Sequence, residues 1–112
     1  MKDEHVVLVF DVGTQSSRTM LVNNFGQVLA KEKMSHEPAY YADDLDWAEQ
    51  DADYYYECIC ETARKCKEKN PDQWERIEAV TVTTIRDTVV CVDKDGKPLR
   101  RSILWLDKRL AA

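Results

Sequence analysis

Asp11, Gly13, Thr14, Gln15, Ser16 and Arg18 place a carboxylate, a missing Cβ, three polar side chains and a guanidinium close together along the chain. They follow an unbroken apolar run, Val6-Val7-Leu8-Val9-Phe10, of the kind found in strands covered on both faces. A carboxylate where such a strand meets solvent can hold hydrated Mg2+. Gly13 lets the backbone approach an anion. The residues Thr14 to Ser17 offer N–H groups and side-chain donors to phosphate oxygens. Arg18 adds a fixed positive fork. The expectation is a loop that holds nucleotide phosphates and their metal ion against a strand end, with Asp11 as the metal ligand. The same residues also fit a plain β-hairpin turning at Gly13-Thr14-Gln15. Neither a G-x-x-x-x-G-K-[ST] loop nor a G-x-G-x-x-G fingerprint occurs.

A second pair of charges, Arg86-Asp87, follows the β-branched run Ile77 to Ile85. A carboxylate beside a guanidinium suits a polyhydroxylated ligand, since the acid accepts from hydroxyls and the arginine donates to them. An exposed ion pair of no consequence is the plainer reading of that dipeptide alone.

The elements that must position these groups are readable in outline. After the first strand, Arg18 to Val22 reads as a second strand. Asn23-Asn24-Phe25-Gly26 is a turn, and Gln27 to Ser35 is a third strand with Val28 and Ala30 on one face and Leu29 on the other. The three form an antiparallel meander. His36 to Gln50 is a long irregular segment expected to cover part of the sheet. A helix capped by Asp51 or Asp53 runs to about Lys69, with Ala52, Tyr55, Tyr56, Ile59, Ala63 and Cys66 as its core stripe and Asn70-Pro71 as its stop. A right-handed crossover through this helix places Ile77 to Ile85 parallel to the first strand. Asp11 and Arg86-Asp87 then share the edge beyond the strands' carboxyl ends, where ligands bind in parallel sheets. Val89 to Val92 and Ser102 to Trp105 flank the turn Asp93-Lys94-Asp95-Gly96 and are expected to pair as a hairpin.

A chain of 112 residues can build one small domain with a real core. Its net charge of −5 and lack of a basic stripe argue against nucleic acid as a partner. No apolar run is long enough to span a bilayer, and no signal peptide precedes the first strand, so a cytoplasmic location is expected. Cys58, Cys60, Cys66 and Cys91 contain no C-x-x-C pair and lie far in sequence from His5 and His36, so free, buried or half-buried thiols are expected rather than a zinc site.

The loop resembles the first phosphate loop of the actin-like ATPase superfamily, of the form D-x-G-T-x-S-x-R. The segment Val92 to Arg109, with D-x-x-G-K-P-L and then I-L-W-x-D-x-R, looks like the hairpin of the FGGY carbohydrate kinases. Asp46-Trp47-Ala48-Glu49-Gln50-Asp51 is similar to the stretch that precedes the first helix in that family. The resemblance covers nearly the whole chain. It implies an α/β chain, part of a ribonuclease-H-like, actin-like ATPase fold, forming the first part of a kinase N-terminal domain. It implies transfer of the γ-phosphoryl group of ATP, with Mg2+, to a sugar or polyol hydroxyl. By the same resemblance, Asp11 sits at the metal–phosphate site, and Thr14, Gln15, Ser16 and Arg18 face the β- and γ-phosphates. Arg86 and Asp87 occupy the place of an Arg-Glu pair that holds polyol hydroxyls in glycerol kinases. Asp for Glu is one methylene shorter, which leaves glycerol in question, and the Gln-x-His usual in xylulose kinases is absent. Trp105 forms an apolar wall against the substrate, while Asp107 and Arg109 brace the hairpin. The family's general-base aspartate lies downstream, so no catalytic residue is expected within these positions and the chain alone is expected to be inactive.

Three other readings remain at this point. A chaperone- or filament-type actin-like ATPase shares the loop but lacks the I-L-W-x-D-x-R hairpin. A metal-dependent nuclease could gather Asp11, Glu57 or Glu61, and Asp87 around two metals. A non-catalytic piece with an uncovered sheet edge is expected to self-associate.

Overall fold

A computed structural model describes residues 3–109 of the chain. Strands β1 (Val6–Val12), β2 (Ser16–Asn23) and β3 (Val28–Ser35) form the antiparallel meander. The short strand β4 (Glu49–Gln50) leads into helix α1 (Ala52–Lys69) and the single turn α2 (Pro71–Trp74). Strand β5 (Ile77–Thr84) then runs parallel to β1, giving the sheet order β3-β2-β1-β5. Strand β6 (Ser102–Ile103) pairs with β4 in a separate two-stranded sheet.

The meander, the helix and the parallel β5 agree with the reading of the sequence. Four details differ. First, β1 extends to Val12 and β2 begins at Ser16, so Asp11 is inside β1, directly across from Arg18. The loop proper shrinks to Gly13, Thr14 and Gln15. Second, a bulge shifts the β2–β3 register between Leu21↔Ala30 and Val22↔Val28. The extra residue lets Leu29 and Ala30 both pack on the core while Val28 is left 57% exposed. Third, α1 buries Cys58, Thr62 and Cys66, whereas Tyr56 is 70% exposed. The buried stripe at i, i+4, i+8 is rotated from the one that hydrophobicity suggests, because Thr62 meets a hydroxyl, Thr19, on β2. Fourth, the expected hairpin survives only as the bridges Val89↔Ile103 and Val92↔Pro98 around the Asp93–Gly96 turn. Pro98 has no N–H to extend that ladder, and Ser102–Ile103 pair instead with Glu49–Gln50. The segment from His36 to Gln50 therefore contributes a strand to this second sheet. Asn70-Pro71 ends α1 as expected, and Pro71 also opens α2.

The core lies between α1 and one face of the sheet. Val6, Leu8, Leu21 and Cys66 are buried there, with Phe10, Leu29, Ala30, Trp74 and Ile77 packed around them. Because side chains alternate along a strand, burying Ser17, Thr19 and Leu21 toward α1 sends Ser16 and Arg18 to the opposite face. Strand β5 closes one edge of the sheet, and its Val80 and Val82 are 58% and 55% exposed. Cys58 and Cys66 are buried and Cys60 is half-buried, within the expectation of buried or half-buried thiols, whereas Cys91 is exposed. No helix among the described residues is long and apolar enough to cross a membrane.

Candidate active site

The turn between β1 and β2 is tight. The Gly13 amide donates to the Ser16 carbonyl at 2.8 Å. A Cβ built on Gly13 would stand 3.1 Å from that same oxygen, so a larger residue would press on the turn. Its N–H is consumed in the turn. The amides of Thr14 and Gln15 have no protein acceptor among the described residues. Gln15 is exposed, and Thr14 and Ser16 are half-buried.

Asp11 and Arg18 face each other across the β1–β2 pair, and Arg18 Nη1 donates to Asp11 Oδ2 at 2.9 Å. Each side chain is 33% exposed. Arg18 is thus not an isolated fork. It engages one oxygen of the carboxylate assigned to the metal. Mg2+ commonly takes one or two protein carboxylates and fills its other positions with water and phosphate oxygens, so a single half-exposed carboxylate fits that ion.

Arg86 and Asp87 follow the end of β5, whose Thr83 and Thr84 stand beside Asp11 and Val12 of β1. The two strand ends therefore share one sheet edge. Asp87 adopts a left-handed conformation with φ of 57°. An aspartate tolerates this better than most residues. Arg86, Asp87 and Trp105 line one shallow cleft of about 240 Å³. The Trp105 indole donates from Nε1 to Thr14 Oγ1 at 2.8 Å, so the same side chain touches the phosphate loop. The cleft and the loop meet at this ring.

The backbone on either side of Trp105 is pinned to the segment before α1. Asp107 Oδ2 accepts from the Ala48 amide at 2.7 Å, and the Leu104 amide donates to the Ala48 carbonyl at 3.0 Å. Arg109 binds both Asp107 and Glu49 at 2.7 Å, and its guanidinium lies 4.1 Å from the centre of the Trp47 ring. Arg100 also pairs with Glu49. Hydrogen bonds from the Arg109 side chain hold the Asp107 carboxyl well below the usual carboxylate range, and Asp107 raises Arg109 in return. The Asp46–Asp51 stretch and the I-L-W-x-D-x-R motif are thus two halves of one brace, with Asp107 and Arg109 inside it. Glu49 is its buried centre, 7% exposed, and sequence reasoning did not single it out. Its signal was available as one acid opposite several arginines, but only the β4–β6 pairing reveals which arginines meet it.

Comparison with known proteins agrees with this geometry. The profile of the FGGY family of carbohydrate kinases, N-terminal domain, matches residues 6–112. The chain belongs to the FGGY carbohydrate kinase family. It is 28% identical to a gluconokinase of Bacillus licheniformis over 103 residues, which is 92% of this chain and 19% of that protein. It is 33% identical to a glycerol kinase of Trichormus variabilis over 112 residues, covering 94% of this chain and 21% of that protein. The crystal structure of xylulose kinase from Rhodospirillum rubrum superposes with a TM-score of 0.85 at 25% identity, covering 97% of this chain and 22% of that one. The chain thus spans about a fifth of the length of these relatives. Its fold is that of the corresponding part of FGGY kinases, mixed α/β and actin-like.

Proposed function

We propose that this chain supplies the phosphate loop and part of the acceptor site of an ATP-dependent, Mg2+-requiring kinase that phosphorylates a hydroxyl of a sugar or polyol. The observation that carries this reading is the Trp105–Thr14 hydrogen bond, because it sets the Arg86–Asp87 cleft beside the loop. Phosphoryl transfer needs donor and acceptor in line and adjacent, with the charge neutralised. Asp11 holds the metal, and Thr14, Gln15 and Ser16 donate to the β- and γ-phosphates. Arg18 orients Asp11 and adds positive charge once phosphate arrives. In the cleft Arg86 donates to acceptor hydroxyls, Asp87 accepts from them, and Trp105 forms the apolar wall. The general base comes from elsewhere in the polypeptide, so residues 1–112 alone turn over no substrate. A cytoplasmic location accords with the four free cysteines.

The test is ADP release by the complete gene product with MgATP and a panel of acceptors that includes gluconate, glycerol and xylulose. One acceptor should raise ADP release far above background, and Asp87→Ala should raise its KM. ATP turnover indifferent to every acceptor would instead favour an actin-like ATPase of the chaperone or filament type.

A further inference from the structure

His36 is only 3% exposed, yet none of the roles assigned above uses it. It follows β3, and three of its polar groups reach the phosphate loop and its flank. Its backbone N–H donates to the Gln15 carbonyl at 2.7 Å. Its ring Nδ1 is 3.0 Å from the Thr14 carbonyl, and its Nε2 is 2.8 Å from Ser17 Oγ. A carbonyl oxygen only accepts, so Nδ1 carries a proton. In the neutral ring Nε2 then accepts the proton of the Ser17 hydroxyl. The ring is clamped edge-on by Tyr54 and Tyr55 of α1, with centroids 5.6 and 5.4 Å away. Tyr54 is fixed in turn by accepting from the Glu37 amide at 2.9 Å.

The consequence follows from the planarity of the peptide bond. In a trans peptide the C=O of one residue and the N–H of the next point in opposite directions. Drawing the Thr14 carbonyl inward toward His36 turns the Gln15 N–H outward, away from the core. That amide has no protein acceptor among the described residues. We propose that His36 is the positioning residue of the phosphate loop, its Nδ1–H grip on the Thr14 carbonyl aiming the Gln15 amide at a nucleoside triphosphate. The inference rests on the kinase reading and adds to it a buried residue that does not itself touch ligand.

Two substitutions separate this role from plain packing. Asparagine at this site keeps a donor near the Nδ1 position and gives up Ser17. Glutamine reaches toward Ser17 and gives up Thr14. Calorimetric titration of the complete gene product with MgATP should show His36→Asn retaining most of the affinity and His36→Gln binding about ten-fold more weakly, the scale of one or two hydrogen bonds. The KM for the acceptor should be the same in both variants. Equal loss in the two variants would reduce His36 to a stability role and overturn the proposal. Should neither variant fold, nitrogen-15 NMR of the unaltered protein decides. A neutral ring protonated on Nδ1 supports the grip, and one protonated on Nε2 overturns it. If the unaltered protein binds no MgATP, the kinase reading itself fails and this inference with it. Binding by the unaltered protein with no difference between variants removes the inference alone.

Discussion

The helix and the sheet are joined by a buried pair of hydroxyls, and the direction of its protons makes an asymmetric prediction. Thr19 and Thr62 are 0% and 1% exposed, and their Oγ1 atoms are 2.7 Å apart. Thr62 also donates to the carbonyl of Cys58 at 3.0 Å, with Ile59 at 3.1 Å as a second acceptor. A hydroxyl has one proton, so when Thr62 gives its proton to the helix backbone, Thr19 must give its own to Thr62. Removing the Thr62 hydroxyl therefore strands the Thr19 donor in the core, at a cost of about 1–3 kcal/mol. Removing the Thr19 hydroxyl leaves Thr62 with its backbone acceptor, and about 0.5–1 kcal/mol is lost. Valine is close to isosteric with threonine, so Thr62→Val, Thr19→Val and the double variant form a clean cycle. The double variant replaces both partners by apolar groups and should be nearly as stable as the parent. Urea unfolding followed by circular dichroism reads all four proteins. Thr62→Val no less stable than Thr19→Val, or a double variant weaker than Thr62→Val, would refute the proton assignment.

Trp105→Phe keeps the apolar wall but loses the bond to Thr14. It should lower kcat/KM for the acceptor by about five- to ten-fold, one neutral hydrogen bond's worth, and an unchanged value would show that loop and cleft are not coupled through this ring. Asp107 is held below the ordinary carboxylate range by Arg109, so its contribution to stability is present above the unfolded value near pH ~4 and is lost as pH falls below it. Asp107→Asn should therefore be less stable at neutral pH and show a flatter acid limb in urea midpoints measured from pH 7 to 2. The edge strand β5 carries the exposed Val80 and Val82. Residues 1–112 should self-associate in sedimentation velocity as concentration rises, and Val82→Lys should reverse it. A parent that stays monomeric throughout would refute this.

The legible parts of this chain are those where one residue type has one physical use. The apolar run of β1, the Asn-Phe-Gly turn and the β-branched β5 were each readable because local backbone preference settles them, even where, as on β5, most side chains stay exposed. The helix was readable in extent but not in rotation. The stripe read from the sequence includes Tyr56 and leaves out Thr62, yet Tyr56 is exposed and Thr62 buried because a hydroxyl waits on β2. The same cause hid Ser17 and His36. Each looks like a surface or ligand residue when taken alone, and each is buried because the other satisfies it. The candidate site divides along the same line. Asp11, Thr14 and Arg86-Asp87 could be found from their order along the chain, since strand ends gather ligands at one sheet edge. That Arg18 is spent on Asp11, that Gly13 closes the turn and that Glu49 joins Arg109 and Arg100 are properties of pairs. Polar groups in a core are costly unless paired, and pairing across strands depends on register, to which a bulge adds one residue without a marked local signature. Hydroxyl, histidine and carboxylate positions that look functional in isolation are therefore best judged by asking first which buried partner each one could satisfy.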